Sequence, residues 1–284
     1  MDADKDHFPS CYRFIIHRRS SAFIGGFPLA VLLFWTVAAL TAPWLGTSPD
    51  AIHLDRVLTG PGASAWLGHD DLGRDILARL LAGASISLTV AALVTLVTFT
   101  LGTLVGLAAG YYGGWLDRLL MHVTDVFLAF PGILLAIAFA AVLGPGIGNL
   151  ILALCLTSWV GYARLTRAQA LSLRGRQHVL AAKVLGASTP RILLRHMLPL
   201  LAAPLLVEAT YSIASLVVAE ASLSFLGLGI QPPHASWGAM LRDGVRYLLV
   251  APHYVLAVGL SLMSLVLAVN VMGDKLRDTL DVKR

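Results

Sequence analysis

Charge is what this 284-residue sequence has least of: 13% of its residues are Asp, Glu, Lys or Arg, against roughly a quarter in an ordinary globular protein. With 57% hydrophobic residues and a mean hydropathy of +0.77, a water-soluble fold would have too few ionisable side chains for its surface. The shortage also has a place, because no Asp or Glu lies between Asp125 and Glu208. Cysteine is nearly absent. Cys11 and Cys155 imply neither a disulfide framework nor a metal site, and one would expect opposite environments for them. No Gly-x-x-x-x-Gly-Lys-Ser/Thr phosphate loop is present, so the chain is not an ATPase by itself. Zinc-type His-Glu-x-x-His and the Gly-x-Ser-x-Gly nucleophile elbow are missing too. His122, His178 and His196 stand without ligand spacing. Catalytic residues, metal ligands and a cofactor are therefore not expected in this chain.

What remains is a series of uncharged apolar runs, several of them about 17–25 residues long, enough to cross about 30 Å of hydrocarbon as helix. Six spans are expected: Ala22–Leu45, Ile86–Ala109, Val126–Leu143, Leu150–Ala163, Leu198–Ala219 and Tyr254–Met272. The first run is longer than the roughly 7–15-residue core of a signal peptide, the competing reading. Around these spans, 16 Lys and Arg fall on one side and five on the other, counted from the sequence. The positive-inside rule then puts both termini, and the segment between spans 4 and 5, in the cytoplasm. The resulting organisation is a tail at 1–21, a membrane domain at 22–272 and a tail at 273–284. The net charge of +5 is an orientation signal beside a lipid bilayer, with no nucleic acid implied.

Some features go beyond spanning. Gly102, Gly106 and Gly110 share one helix face, which suits close helix contact or a role in the path. Tyr111, Tyr112 and Trp115 follow, as expected at a membrane interface. The cytoplasmic loop, about 164–198, is basic, free of acid, and reads as short helix, turn at Gly186, and second helix. Ser188 or Thr189 can cap that second helix, whose first turn accepts Pro190. Small Ala181 and Ala182 would permit close docking of a protein, the alternative being an interfacial helix steadied by anionic lipid. On the other side, Asp70, Asp71, Arg74 and Asp75 allow substrate binding or mutual pairing and capping. The apolar stretch from Ile76 to Leu81 would lie along the outer membrane face. Glu208, near mid-span, and Glu220 are costly in hydrocarbon and are candidates for the path or a gate, with Ser224 close by. Trp237 is a candidate membrane anchor.

These residues resemble the second permease subunit of bacterial ABC importers for dipeptides, oligopeptides and nickel, from about Arg13 onward. The resemblance is carried by Leu67-Gly-His-Asp-Asp-Leu-Gly-Arg-Asp75, with His69 where the family usually has threonine, and by Gly110-Tyr-Tyr-Gly-Gly-Trp115. Phe130-Pro131, Leu143-Gly-Pro-Gly146, Ser222-Leu-Ser-Phe-Leu-Gly-Leu-Gly229, Gln231-Pro-Pro233, Ser236-Trp-Gly238 and Gly273-Asp-Lys-Leu-Arg-Asp278 extend it. The cytoplasmic loop is similar to the Glu-Ala-Ala docking motif of such permeases, with Leu180 at the glutamate position and Leu200 where asparagine is common.

The resemblance implies a type I importer permease fold in the bacterial cytoplasmic (inner) membrane. It implies a homologous second permease, two cytoplasmic ATPase subunits that bind ATP and Mg, and an extracytoplasmic substrate-binding protein. ATPase coupling would fall to Ala181, Ala182, Gly186, Ala187, Ser188, Arg191, Leu198 and Pro199, and an extracytoplasmic structural motif to Asp70, Gly73, Arg74 and Asp75. Short peptides are the leading cargo, with nickel second. A secondary transporter or channel working alone is the reading from a different class.

Overall fold

The structure, a computed structural model, describes residues 10–44, 48–63 and 65–281, with no account of the side chains of 10–25, Pro43 and Asp281. Its long elements among the described residues are all helices: α1 (Ser10–Thr41), α2 (Ile76–Tyr112), α3 (Gly114–Leu128), α4 (Gly132–Leu143), α5 (Ile147–Leu173), α6 (Gln177–Val184), α7 (Thr189–Phe225), α8 (Trp237–Val245) and α9 (Pro252–Asp281). Among the described residues, four helices are long and apolar enough to cross a membrane (α2, α5, α7, α9), and a fifth span forms if α3 and α4 are taken together. Of α1, the described side chains begin after residue 25, and the described apolar stretch is Gly26–Thr41. Among the described residues the expectation of six spans is met to four or five, and the expected first span, Ala22–Leu45, runs at both ends into residues whose side chains are not described.

Several boundaries differ from the sequence reading for physical reasons. Span 3 is not straight. Its two helices meet at 84° across Ala129-Phe130-Pro131, where proline removes an amide donor and disfavours helix in the residue before it. Residues 76–81 do not lie along the membrane face but form the start of α2, with Ile76 and Leu80 fully buried. The Asp75 carboxylate starts that helix by accepting the Leu77 and Ala78 amides at 2.8 and 3.4 Å. The fourth span is not short, since α5 carries on through Arg164 to Leu173 and leaves a briefer connection to α7. Within α7, residues Ile192–Met197 adopt the wider π geometry just ahead of Pro199, which cannot donate to the preceding turn.

Packing divides the molecule into two ends. A large apolar core joins α1, α2, α4, α5, α7, α8 and α9 at the end bearing the 48–75 and 226–251 loops. A second cluster around Leu107, Tyr162, Ile192, Met197 and Leu201 lies at the basic end and receives Val179 and Ala182 of α6. Helices α2 and α5 pack most extensively. A Cβ on Gly102 or Gly106 would lie 2.4 Å from the Trp159 or Ala163 carbonyl oxygen, and one on Gly110 2.6 Å from the Ala170 Cβ. The glycine stripe is therefore a backbone-to-backbone helix contact.

Candidate functional site

At the loop end, Asp70 organises a buried ionic knot. Its Oδ1 accepts the Leu72 and Arg74 amides, both at 2.9 Å, and its Oδ2 accepts Arg74 Nε at 2.7 Å and Arg79 Nη1 at 2.6 Å. Asp70, Arg74 and Arg79 are all buried, so each charge depends on this geometry. Gly73 turns at φ +72°, where a side chain would collide with the His53 carbonyl at 1.8 Å. His69 Nδ1 pairs with Thr59 Oγ1 at 2.8 Å, which ties the two sides of this loop together. Asp71 is outside the knot, 3.6 Å from Arg74 Nη2, and burial together with the Asp70 charge raises its carboxyl above the ordinary range. Of the four carboxylates and bases in the sequence motif, Asp70 and Arg74 come together and Asp75 caps α2 separately.

Glu220 sits deeper, fully buried. Ser87 of α2 donates to its Oε2 at 2.6 Å and Ser224 to its Oε1 at 2.8 Å, while Ser224 Oγ accepts the Ile230 amide at 3.2 Å. The network ties α2, α7 and the loop after α7 together. Trp237 completes the closure: its indole nitrogen donates to the Leu80 carbonyl at 3.0 Å, and its ring packs edge-on against Trp35 at 4.9 Å. It is fully buried, so it is an internal brace of α2 and not a membrane anchor.

Glu208 is placed differently. It lines a cavity of about 370 Å³ between α5, α7 and α9, together with Leu165, Gln169, Pro204, Tyr211 and Arg277. Tyr211 donates to Asp274 Oδ1 at 2.5 Å, which joins α7 to α9 beside the cavity. Thus the structure brings Glu220 and Ser224 into one sealed network and leaves Glu208 apart, facing open space.

At the basic end, α6 seats on the protein through Val179 and Ala182. Ala181 faces outward beside Leu180, and Val184 and Leu185 are 87% and 86% exposed. Only one of the two alanines is therefore available to a partner. Gly186 makes the expected turn at φ +77°. Ser188 occupies the N-cap position of α7, although its side chain makes no capping bond. Of the remaining residues expected to couple, Ala187 and Leu198 are half-buried, whereas Ser188, Arg191 and Pro199 are exposed.

Sequence reasoning missed Arg79, Ser87, Tyr211 and Arg277. Arg79 carried a signal, as the only charge in the 37 residues of α2. Ser87 carried none, since a serine in an apolar helix looks the same whether or not it meets a carboxylate. Among the described residues, no group of three or more His, Cys, Asp or Glu could hold a metal ion.

Comparison with known proteins places this architecture. The glutathione transport system permease protein GsiD of Pectobacterium atrosepticum is 44% identical over 255 residues, covering 90% of this chain and 83% of that one. The dipeptide transport system permease protein DppC of Alkalihalophilus pseudofirmus is 41% identical over 256 residues, covering 90% and 84%. In fold, the chain resembles the inward-facing MetNI methionine ABC transporter, with a TM-score of 0.56 and 19% identity, over 72% of this chain and 97% of that one. The model of the binding-protein-dependent transport system inner membrane component matches residues 102–281, and this chain belongs to that family of multi-pass, non-catalytic ABC importer permeases.

Proposed function

We propose that this permease carries short peptides across the bacterial inner membrane as one half of an ATP-driven importer. The observation that carries this reading is the identity of 41–45%, over 87–90% of the chain, to permeases named for glutathione and dipeptide transport. The other half would be a homologous permease, with two cytoplasmic ATPases binding ATP and Mg, and an extracytoplasmic protein delivering cargo.

Six crossings follow if α1 counts as the first, the bent α3–α4 pair as the third, and α2, α5, α7 and α9 as the rest. Both tails, 1–21 and 273–284, and the segment around α6 then lie in the cytoplasm. In this arrangement Ala181, Gly186, Ala187, Ser188, Arg191 and Pro199 meet the ATPase, while Ala182 and Leu198 fix the docking segment to the membrane domain. With Leu180 at the glutamate position, apolar contact through Leu180, Val184 and Leu185 takes over part of that docking. Closure of the ATPase pair pushes this segment and reorients the spans toward release inward. Asp70, Gly73, Arg74 and Asp75 hold the extracytoplasmic loop, Glu220 and Ser224 seal that side, and Glu208 faces the path.

The test is mild purification of the tagged chain from its native membrane, with co-purifying subunits identified by mass spectrometry. Recovery of a second permease with ATPases, and ATP hydrolysis stimulated by a peptide-loaded binding protein, is the expected result. Recovery of the folded chain alone, under conditions that preserve other membrane complexes, would move the reading to an independent carrier or channel.

A further inference from the structure

The cavity between α5, α7 and α9 has an acid and a base on facing helices. Tyr211 of α7 donates to Asp274 of α9, and Gly273 lets α9 approach closely, because a Cβ there would be 2.7 Å from Thr210 Oγ1. Glu208 precedes Tyr211 by three residues, and Arg277 follows Asp274 by three. The two helices run in opposite directions, so both steps lead toward the basic end, by about 4.5 Å each. Glu208 and Arg277 therefore lie at one level, and both line the cavity. Arg277 interacts with Tyr211 at the wall. The Glu208 carboxylate, half-buried on a membrane helix, has no hydrogen-bond donor or cation bound to it among the described residues. Such a group is costly and is ordinarily matched by something that enters the space. By contrast, Glu220 on the same helix has a donor on each oxygen.

We infer, building on the peptide reading above, that this cavity is a transient binding site for the two charged ends of a short, unblocked peptide. Glu208 receives the α-ammonium group, Arg277 the α-carboxylate, and Gln169 a peptide amide between them. Leu165 and Pro204 supply apolar wall that tolerates different small side chains. A volume of about 370 Å³ is at the small end of ligand pockets, suited to a di- or tripeptide. Selection by backbone termini alone lets the permease pass whatever peptide the binding protein delivers while requiring both ends to be free.

The test uses the intact importer complex without nucleotide or binding protein, titrated by calorimetry with trialanine, N-acetyl-trialanine and trialanine amide. Trialanine is expected to bind, and each cap to weaken binding about tenfold or more, the loss of one charged hydrogen-bonding partner. Glu208→Gln should erase the difference between trialanine and its N-acetyl form. Arg277→Gln should erase the difference between trialanine and its amide. Equal binding of capped and free peptides by the unaltered complex, no binding of trialanine at millimolar concentration, or full amine discrimination in Glu208→Gln would each overturn the site. ATP hydrolysis stimulated by trialanine-loaded binding protein separates the two conclusions. If stimulation persists without discrimination between caps, only this site falls; if another solute stimulates and no peptide does, the peptide reading falls with it.

Discussion

Glu208 and Glu220 occupy the same helix, twelve residues or about 18 Å of rise apart, yet have opposite surroundings. Glu220 is sealed, with a hydroxyl on each oxygen and no solvent contact. Glu208 borders a cavity, with no donor bound to either oxygen among the described residues. The contrast extends to the two ends of the molecule. At the loop end, the Asp70 knot, the Glu220 network and the Trp237 brace fasten α2 to α7 and α8. At the basic end are the open cavity and a largely exposed α6. One end is closed by internal polar bonds, and the other leaves a cavity and an exposed helix. A carboxylate's position in a helix does not reveal its role; its count of donors does.

Substitutions can break this contrast, and thermal unfolding in detergent, followed through the tryptophans, is the common readout. The largest effect is expected for Asp70→Ala, which strands Arg74 and Arg79 as buried unpaired cations and should cost about 3–5 kcal/mol. Gly106→Val should come next, at about 1–3 kcal/mol, because its side chain must push α2 off the Ala163 carbonyl. Glu220→Ala should cost about 1–3 kcal/mol by leaving Ser87 and Ser224 without their acceptor, whereas Glu208→Ala should stay within about 0.5 kcal/mol. Equal losses from the two glutamates would dissolve the contrast between them. Gly186→Leu meets open space but an unfavourable φ of +77°, so about 1–2 kcal/mol is expected, with membrane insertion intact and peptide-stimulated ATP hydrolysis impaired. Normal stimulation in that variant would sink the docking role of the segment. The smallest effect concerns Asp71. Its raised carboxyl means that the folded protein holds the proton more tightly than the unfolded chain. The associated stability is present at low pH and is lost as pH rises above the ordinary carboxylate range through the raised value. Asp71→Asn should flatten that part of the stability profile.

The apolar runs, the basic segment and the turn at Gly186 were all legible because hydropathy, charge and glycine act locally. The break in the third span was written in Phe130-Pro131, but its 84° angle was not, since proline ends a helix without setting the direction of the next. Ile76 and Leu80 looked like an outer-face helix because periodicity reports an apolar face, not whether lipid or protein covers it. Trp237 was misread for a related reason: its indole fits an interface, and only the proximity of the Leu80 carbonyl reveals an internal partner. The pairing of Asp70 with Arg74 was open from spacing, whereas Arg79 joined from nine residues away through a loop that brings the start of α2 back over it. Glu208 and Arg277, separated by 69 positions, could be brought together only by the antiparallel passage of α7 and α9.

The glycine stripe of α2 has a mechanical consequence. With Gly102, Gly106 and Gly110 set against the backbone of α5, these two helices cannot slide or roll on one another without steric collision, and they behave as a single beam. One end of that beam carries the Arg79 anchor of the Asp70 knot, and the other runs into the connection to α6. If α6 receives the push proposed above, this beam is the element that carries it to the 48–75 loop. Bending must be taken up elsewhere, at the proline-broken joint between α3 and α4 and at the π-wound start of α7.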